Sequence, residues 1–216
     1  MRPRIKVCCM GSVHEAKLAI SYGAAALGFV GKMPSGPGPI ADELIAEIVK
    51  TVPPPVATFL LTSETTAWQI IRHHQKVHTN TIQIVDALAE RNYALIKEQL
   101  PAVKLVQVVH VMNETSVDDA VQLSNDVDAL LLDSGNPHLA VKELGGTGRV
   151  HDWKLSRRIV EQVQKPVFLA GGLNAENVRG AIDEVQPFGL DLCSGVRTDG
   201  KLDEKKLEAF FRAAGY

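Results

Sequence analysis

Eight short runs rich in valine, isoleucine and leucine alternate with eight segments of helical periodicity along the whole chain. Strands are predicted near residues 4–9, 26–31, 55–61, 81–86, 104–111, 128–133, 166–171 and 189–194. Helices are predicted near 13–22, 41–51, 64–78, 87–99, 116–125, 152–164, 175–185 and 203–213. A buried apolar run followed each time by an amphipathic stretch is the pattern of parallel strands joined by helical crossovers. Eight such units in 216 residues average about 27 residues each, near the minimum for a closed barrel. The expected fold is therefore α/β, one (β/α)8 TIM barrel with a closed eight-stranded parallel sheet and a single domain over residues 1–216.

Local signals support the helical half of that pattern. Ser12-x-x-Glu15 reads as a capping box, with Gly23 placed to end the same helix. Ser116-x-x-Asp119 reads as a second box on the fifth helix. Val178, Ala181, Ile182 and Val185 form one apolar stripe, as do Leu207, Phe210, Phe211 and Ala214. Pro53, Pro54 and Pro55 end the second helix before the third strand, since proline lacks the N–H that a helix interior needs.

Composition enters where partners are concerned. With 45% hydrophobic residues the chain is not disordered, and 23 basic against 25 acidic residues give no surplus for nucleic acid. No apolar run approaches the ~18 residues of a membrane span, and the N-terminal apolar stretch is too short for a signal peptide. Three cysteines make no disulfide framework, which points to the reducing cytoplasm. A small-molecule ligand is the expected partner.

In such a barrel the loops after the strands form the active face, and two are long here: Gly31–Ile40 and Ser134–His151, the latter containing Gly145, Gly146, Thr147 and Gly148. Strand alternation puts Ile5, Val7 and Cys9 on one face of the first strand, toward the helices, and Lys6 and Cys8 on the other, toward the barrel axis. A lysine inside a barrel is costly unless paired. Asp191 faces opposite to the leucines of the eighth strand, next to the first in a closed sheet, so a Lys6–Asp191 pair is expected. Asp133 ends the sixth strand. The turns at Gly171-Gly172 and Ser194-Gly195 follow the seventh and eighth strands, where such barrels hold phosphate on backbone N–H groups. His74 and His78 stand four apart, but they extend an apolar stripe and are expected to be partly buried structural residues rather than metal ligands. Cys9 and Cys193 are read as packing residues, and Arg197 as lying beside the phosphate or on a solvated helix side.

The ordered combination is specific: Lys6-Val7-Cys8; Ala26-Leu27-Gly28-Phe29-Val30; Leu131-Leu132-Asp133; Gly145-Gly146-Thr147-Gly148 followed by Asp152-Trp153; Leu169-Ala170-Gly171-Gly172-Leu173-Asn174; and Gly189-Leu190-Asp191-Leu192-Cys193-Ser194-Gly195-Val196. Along its whole length the chain resembles the phosphoribosylanthranilate isomerases, the Amadori-rearrangement enzymes of tryptophan biosynthesis. The resemblance implies that Cys8 is the general base and Asp133 the general acid. It also implies that Gly146, Thr147, Gly148, Gly171, Gly172, Ser194 and Gly195 hold the substrate phosphate, with Lys6 close to Cys8. No metal or organic cofactor is implied, and the chain would be a monomer or a homodimer acting on a phosphorylated sugar.

The departures from that family cluster at one end of the substrate. Cys9, Met10, Gly11, Ser12 and Val13 replace a glycine and a Thr-Arg pair. The loop after the second strand, Lys32 to Pro39, lacks the Ser-x-Arg that meets the anthranilate carboxylate, leaving Lys32 as a substitute point charge. Gln83-Ile84-Val85-Asp86 replaces Gln-Leu-His-Gly. A different sugar-phosphate isomerase, epimerase or lyase with another aglycone is the alternative reading; a non-catalytic phosphate-ligand binder is a third.

Overall fold

The computed structural model describes residues 2–216. Strands β1 (Arg4–Val7), β2 (Ala26–Val30), β3 (Ala57–Thr62), β4 (Thr81–Ile84), β5 (Lys104–His110), β6 (Ala129–Asp133), β7 (Val167–Leu169) and β8 (Gly189–Leu192) close into a barrel in sequence order. Every neighbouring pair is parallel, including β8 with β1. Helices α1 (Val13–Ser21), α2 (Asp42–Val49), α3 (Ala67–Val77), α4 (Tyr93–Gln99), α5 (Thr115–Ser124), α6 (Trp153–Gln162), α7 (Val178–Val185) and α8 (Glu204–Ala213) each follow the strand of the same number. This is the (β/α)8 barrel expected from the eightfold alternation. Among the described residues, no helix is long and apolar enough to cross a membrane.

Two elements differ from expectation, each for a local reason. The fourth helix is shorter than residues 87–99. Glu90 and Arg91 take positive φ of 57° and 48°, which breaks the helix after a single 3-10 turn, and Asn92 then caps α4 through Leu95 N–H. Ser116 does not cap α5 as a capping box would. It lies inside the first turn, where its Oγ accepts from the N–H groups of Met112 and Asn113. The capping reading holds at Ser12, whose Oγ accepts from Glu15 N–H at 3.1 Å. Gly23 ends the helix at φ +99°.

The apolar residues divide into two layers. Ile5, Val7, Leu27, Phe29, Leu60, Ile82, Leu130 and Leu132 point outward and pack under the helices with Ile45, Ile70 and Phe210. Ala26, Phe59, Leu61, Val106, Val108, Leu131 and Phe168 fill the barrel, where Phe59 meets Phe168 edge-on at 5.9 Å between ring centroids. This filled interior is the floor on which the polar inward positions rest.

Candidate active site

Polar residues break the apolar interior toward its upper end. Lys6 is fully buried and donates from Nζ to Asp191 Oδ1 at 2.8 Å, the cross-strand pair that β1–β8 register dictates. The same ammonium lies 5.3 Å from the centroid of the Phe59 ring. Burial opposes its charge, but the Asp191 carboxylate and the Cys8 sulfur outweigh burial and leave the lysine more basic than usual. Asp191 itself is raised by burial, with Lys6 pulling the other way. Gly28 on β2 makes the room: a Cβ there would stand 2.7 Å from Cys8 Sγ and 3.0 Å from Lys6 Nζ.

Above this pair the strand ends open into a cavity of about 700 Å³, counting its mouth. Cys8 and Asp133 both line it. Their acidities shift in opposite directions. Cys8 is lowered, first by a hydrogen bond from the Cys9 side chain and further by Lys6, against the cost of burial. Asp133 is pushed up to about 6 by burial and by the charge of Asp191, with the Ser134 N–H and hydroxyl opposing. The loop after β6 passes directly over this carboxyl; a Cβ on Gly145 would fall 2.7 Å from Asp133 Oδ2.

Three turns meet at one side of the cavity. Gly146, Thr147 and Gly148 from the β6 loop, Gly171 and Gly172 after β7, and Ser194 after β8 all line it. Gly172 sits at φ +63° with Gly148 O and the Arg149 backbone each 2.8 Å from a Cβ placed there, so only glycine lets the two turns close on each other. Ser134 and Thr147 hydroxyls bond at 2.7 Å and pin the β6 loop to its own strand. Gly195 is not in the cavity wall; its α-carbon packs against Leu173, whose carbonyl oxygen would be 2.0 Å from an added Cβ. It positions the β8 turn against the β7 turn.

The rest of the wall is largely apolar, formed by Val30, Met33, Leu61 and Val85, with Pro37 packed on Gly146 and Leu144 entering from the β6 loop. Among the described residues, no lysine, arginine or histidine lines the cavity. Lys32, expected as a substitute cation, is exposed and faces a separate surface groove with Asp42, Glu64, Arg72 and Lys76. The reason is local: the carbonyl of Lys32, not its ammonium, is the group tied to the scaffold, accepting from Ser63 Oγ at 2.8 Å. Lys142 is likewise outside the cavity wall, and Asp86 holds its ammonium at 2.5 Å.

Arg197 corrects the sequence reading in another way. Its guanidinium is buried and does not line the cavity. It donates to Glu15 and to the carbonyl oxygens of Cys8, Cys9 and Gly200, clamping the end of β1. His74 is buried and bonds the Thr79 carbonyl through Nε2 at 2.6 Å, whereas His78 is exposed at the left-handed end of α3. Among the described residues, no three histidine, cysteine or acidic side chains group closely enough to hold a metal ion.

One lining residue escaped the sequence reading. Gln83 on β4 is buried at the cavity, and its Oε1 has no hydrogen-bond partner. A buried amide oxygen without a donor is costly, so it is poised to accept from a ligand. The signal was present: Gln83 alternates with the outward Ile82 and Ile84, a polar residue at an inward position.

With this geometry in place, likeness to known proteins is informative. The sequence model of the family "N-(5'phosphoribosyl)anthranilate (PRA) isomerase" matches residues 5–213. The N-(5'-phosphoribosyl)anthranilate isomerase of Methanosarcina acetivorans is 33% identical over 97% of this chain and 92% of its own length. That of Methanothrix thermoacetophila is 32% identical over 97% and 96%. Among solved structures, phosphoribosyl anthranilate isomerase from Thermotoga maritima superposes with a TM-score of 0.81 at 28% identity, covering 98% of both chains. A phosphoribosyl anthranilate isomerase in complex with reduced 1-(o-carboxyphenylamino)-1-deoxyribulose 5-phosphate gives 0.78 at 27%, again covering 98% of both. From the first strand to the last helix, this chain belongs to the phosphoribosylanthranilate isomerase family.

Proposed function

We propose that the chain converts N-(5'-phosphoribosyl)anthranilate to 1-(o-carboxyphenylamino)-1-deoxyribulose 5-phosphate, with Asp133 as general acid and Cys8 as general base. The observation that carries the role assignment is that a raised carboxyl and a lowered thiol share one cavity. Both shifts run toward the neutral range, so the carboxyl keeps a proton to give and the thiol gives one up more readily. Asp133 gives its proton to the ring oxygen as the C1–O bond breaks, leaving an open-chain iminium. The Cys8 thiolate removes the C2 proton, the electron pair becomes the C1–C2 double bond, and the resulting enolamine tautomerises to the ketone. Each transfer is worth on the order of 10²–10⁴ in rate. The glycine turns after β6, β7 and β8 grip the phosphate, and this remote binding orients C1 and C2 between the two groups. Only proton transfers are required, so the reading assigns no metal or organic cofactor; unchanged turnover after exhaustive chelation is the expected result.

The direct test is rescue of a tryptophan auxotroph lacking this isomerase, together with purified Cys8→Ala and Asp133→Asn. Rescue by the wild-type chain and its loss in both variants supports the reading; no rescue by well-expressed wild type overturns it.

A second reading concerns only the aglycone, and the cation-free apolar side of the cavity favours it. A buried carboxylate without a partner is costly, so a phosphoribosylamine with an uncharged aglycone suits this side better than anthranilate. Adducts of ribose 5-phosphate with anthranilate and with aniline decide between them. A kcat/KM for the aniline adduct well above that for the anthranilate adduct supports the second reading; the reverse order removes it.

A further inference from the structure

Two cysteines that the proposed acid–base chemistry does not use meet at the cavity wall. Cys9 Sγ lies 2.6 Å from Cys193 Sγ, and both residues line the cavity. The contact is built into the backbone. Cys9 follows β1 and Cys193 follows β8, adjacent strands joined here by Cys8 N–H donating to Leu192 O at 2.8 Å. Arg197 holds the carbonyl oxygens of Cys8 and Cys9 from below. Gly38 closes from the β2 loop, with only 2.6 Å between Cys9 Cβ and a Cβ placed on that glycine. Cys9 also adopts φ +64°, a left-handed conformation that costs a side-chain-bearing residue and that glycine would take freely. The strain is retained at a position that aims sulfur at sulfur. Cys193 is the more exposed of the two, so a small oxidant entering the cavity meets it first.

We propose that Cys9 and Cys193 are an oxidisable dithiol, forming a disulfide across the β1–β8 seam that switches down the activity of the neighbouring Cys8. With hydrogen peroxide as oxidant the steps balance. The Cys193 thiolate attacks one peroxide oxygen, forming S–O and breaking O–O, and water leaves after protonation. The Cys9 sulfur then attacks the Cys193 sulfenic acid, forming S–S and breaking S–O, with loss of its own proton and of a second water. Two thiols are oxidised and one peroxide is reduced to two waters. The coupling to Cys8 runs through the chain: Cys8 is joined to Cys9 by a peptide bond, its N–H is tied to Leu192 O beside Cys193, and its carbonyl is held by Arg197, so a covalent bond between the Cys9 and Cys193 sulfurs resets the strand end that carries Cys8 into the cavity. It also takes away the Cys9 S–H, which favours the Cys8 thiolate, so oxidation raises the Cys8 pKa and reduces its thiolate fraction at neutral pH.

The disulfide stands apart from the proposed isomerase activity, whereas its effect on turnover rests on Cys8 being the base. The test reads the two separately. Full-length wild-type protein is treated with graded hydrogen peroxide, alkylated and digested with trypsin, and Cys193→Ala is treated in parallel. The expected product joins the peptides 7–17 and 180–197 with loss of two hydrogens, fragmentation placing the link on Cys9 and an alkylated thiol on Cys8. Turnover at pH 7 falls several-fold, its acidic limb moves to higher pH, and dithiothreitol restores both. Cys193→Ala, measured against its own untreated rate, loses the dithiothreitol-reversible part of the effect. A link between Cys8 and Cys9, oxidation confined to Cys8, or an equal reversible loss in Cys193→Ala overturns the proposal. The mapped Cys9–Cys193 link with unchanged turnover overturns the switch, and an untreated protein without any isomerase activity would instead count against the proposed function.

Discussion

The two sides of the cavity are built by different means. On the β6–β7–β8 side the wall is backbone: glycines at Gly148, Gly171 and Gly172 take positive φ, and turns from three strands close on one another within distances no Cβ would allow. On the β2–β4 side the wall is side chain: Met33, Pro37, Leu61 and Val85, with Gln83 as a polar group set among them and Leu144 reaching in from the β6 loop. A backbone-built subsite holds its shape against most side-chain change and binds what every member of a family shares. A side-chain wall is rewritten by single substitutions, so it is where relatives diverge in what they accept. Cys8 and Asp133 stand between the two, and their chemistry depends on both.

The largest effects belong to that seam. Cys8→Ala and Asp133→Asn should each lower kcat by roughly 10²–10⁴ with KM little changed, because the lost interactions are made in the transition state. Steady-state kinetics with the anthranilate adduct check this. A loss confined to KM would place both residues in binding and dissolve the distinction between the seam and its two sides.

Next comes the backbone side. Gly172→Ala forces a Cβ to within 2.8 Å of the Gly148 carbonyl oxygen and the Arg149 carbonyl carbon at φ +63°. The turns must part, and misplacing a bound phosphate by about 1 Å is worth on the order of 10² in rate. The strain should also cost about 1–3 kcal/mol of stability. Leu61→Ala on the side-chain wall should instead change KM several-fold and leave phosphate affinity intact. Inhibition by inorganic phosphate separates the two, since only Gly172→Ala should weaken it.

Asp133 links function to stability with a definite sign. Its carboxyl titrates at about 6 in the folded protein and near 3.8 when unfolded, so the folded state binds the proton more tightly. Its favourable contribution is complete below about pH 3.8 and is lost as pH rises through 6, amounting to on the order of 3 kcal/mol by pH 8. Asp133→Asn keeps an oxygen to accept from Ser134 N–H and carries no charge to bury. Denaturant unfolding should show the variant more stable than wild type at pH 8, with the gap closing toward pH 4. For activity the same titration works from the other side: the fraction of Asp133 that carries a proton to donate falls as pH rises through 6.

The contrast between the sides also explains what the sequence disclosed. Barrel closure, the Lys6–Asp191 pair and the convergence of Cys8 with Asp133 all follow from the period-two facing of strands and the adjacency of β1 and β8. The glycine turns were legible because a conformation that excludes Cβ must be written as glycine. Arg197 was not legible, since its partners Glu15 and the Cys8 and Cys9 carbonyls lie about 180 residues away in sequence and meet it only once the barrel closes. Ser116 failed for the opposite reason: Asn113 offers its own side chain to Thr115 N–H, and the helix begins at Thr115, two residues sooner than a Ser116 cap would start it.

Lys32 supplies the smallest expected effect and the sharpest test of the side-chain wall. Charge alone nominates it as the partner of an anthranilate carboxylate, because it lies on the loop where an arginine is missing. Its position argues otherwise: Lys32 is exposed and lines a groove shared with Asp42, Glu64 and Arg72, not the cavity that holds Cys8. A charge that far into solvent contributes little across a Debye length of about 8 Å at physiological salt. Lys32→Ala should therefore leave kcat and KM for the anthranilate adduct within about twofold of wild type, as expected of an exposed charge without a partner in the site. Lys142→Ala is the paired measurement, since Lys142 sits beside Asp86 at the end of β4 and is held there by an ion pair at 2.5 Å. Removing it leaves Asp86, which is buried, without its cation, so KM for an anionic aglycone should rise more than KM for a neutral one. A large KM effect from Lys32 and none from Lys142 would mean that the β2 loop folds inward around the substrate, and the side-chain wall would then have to be redrawn with a cation in it.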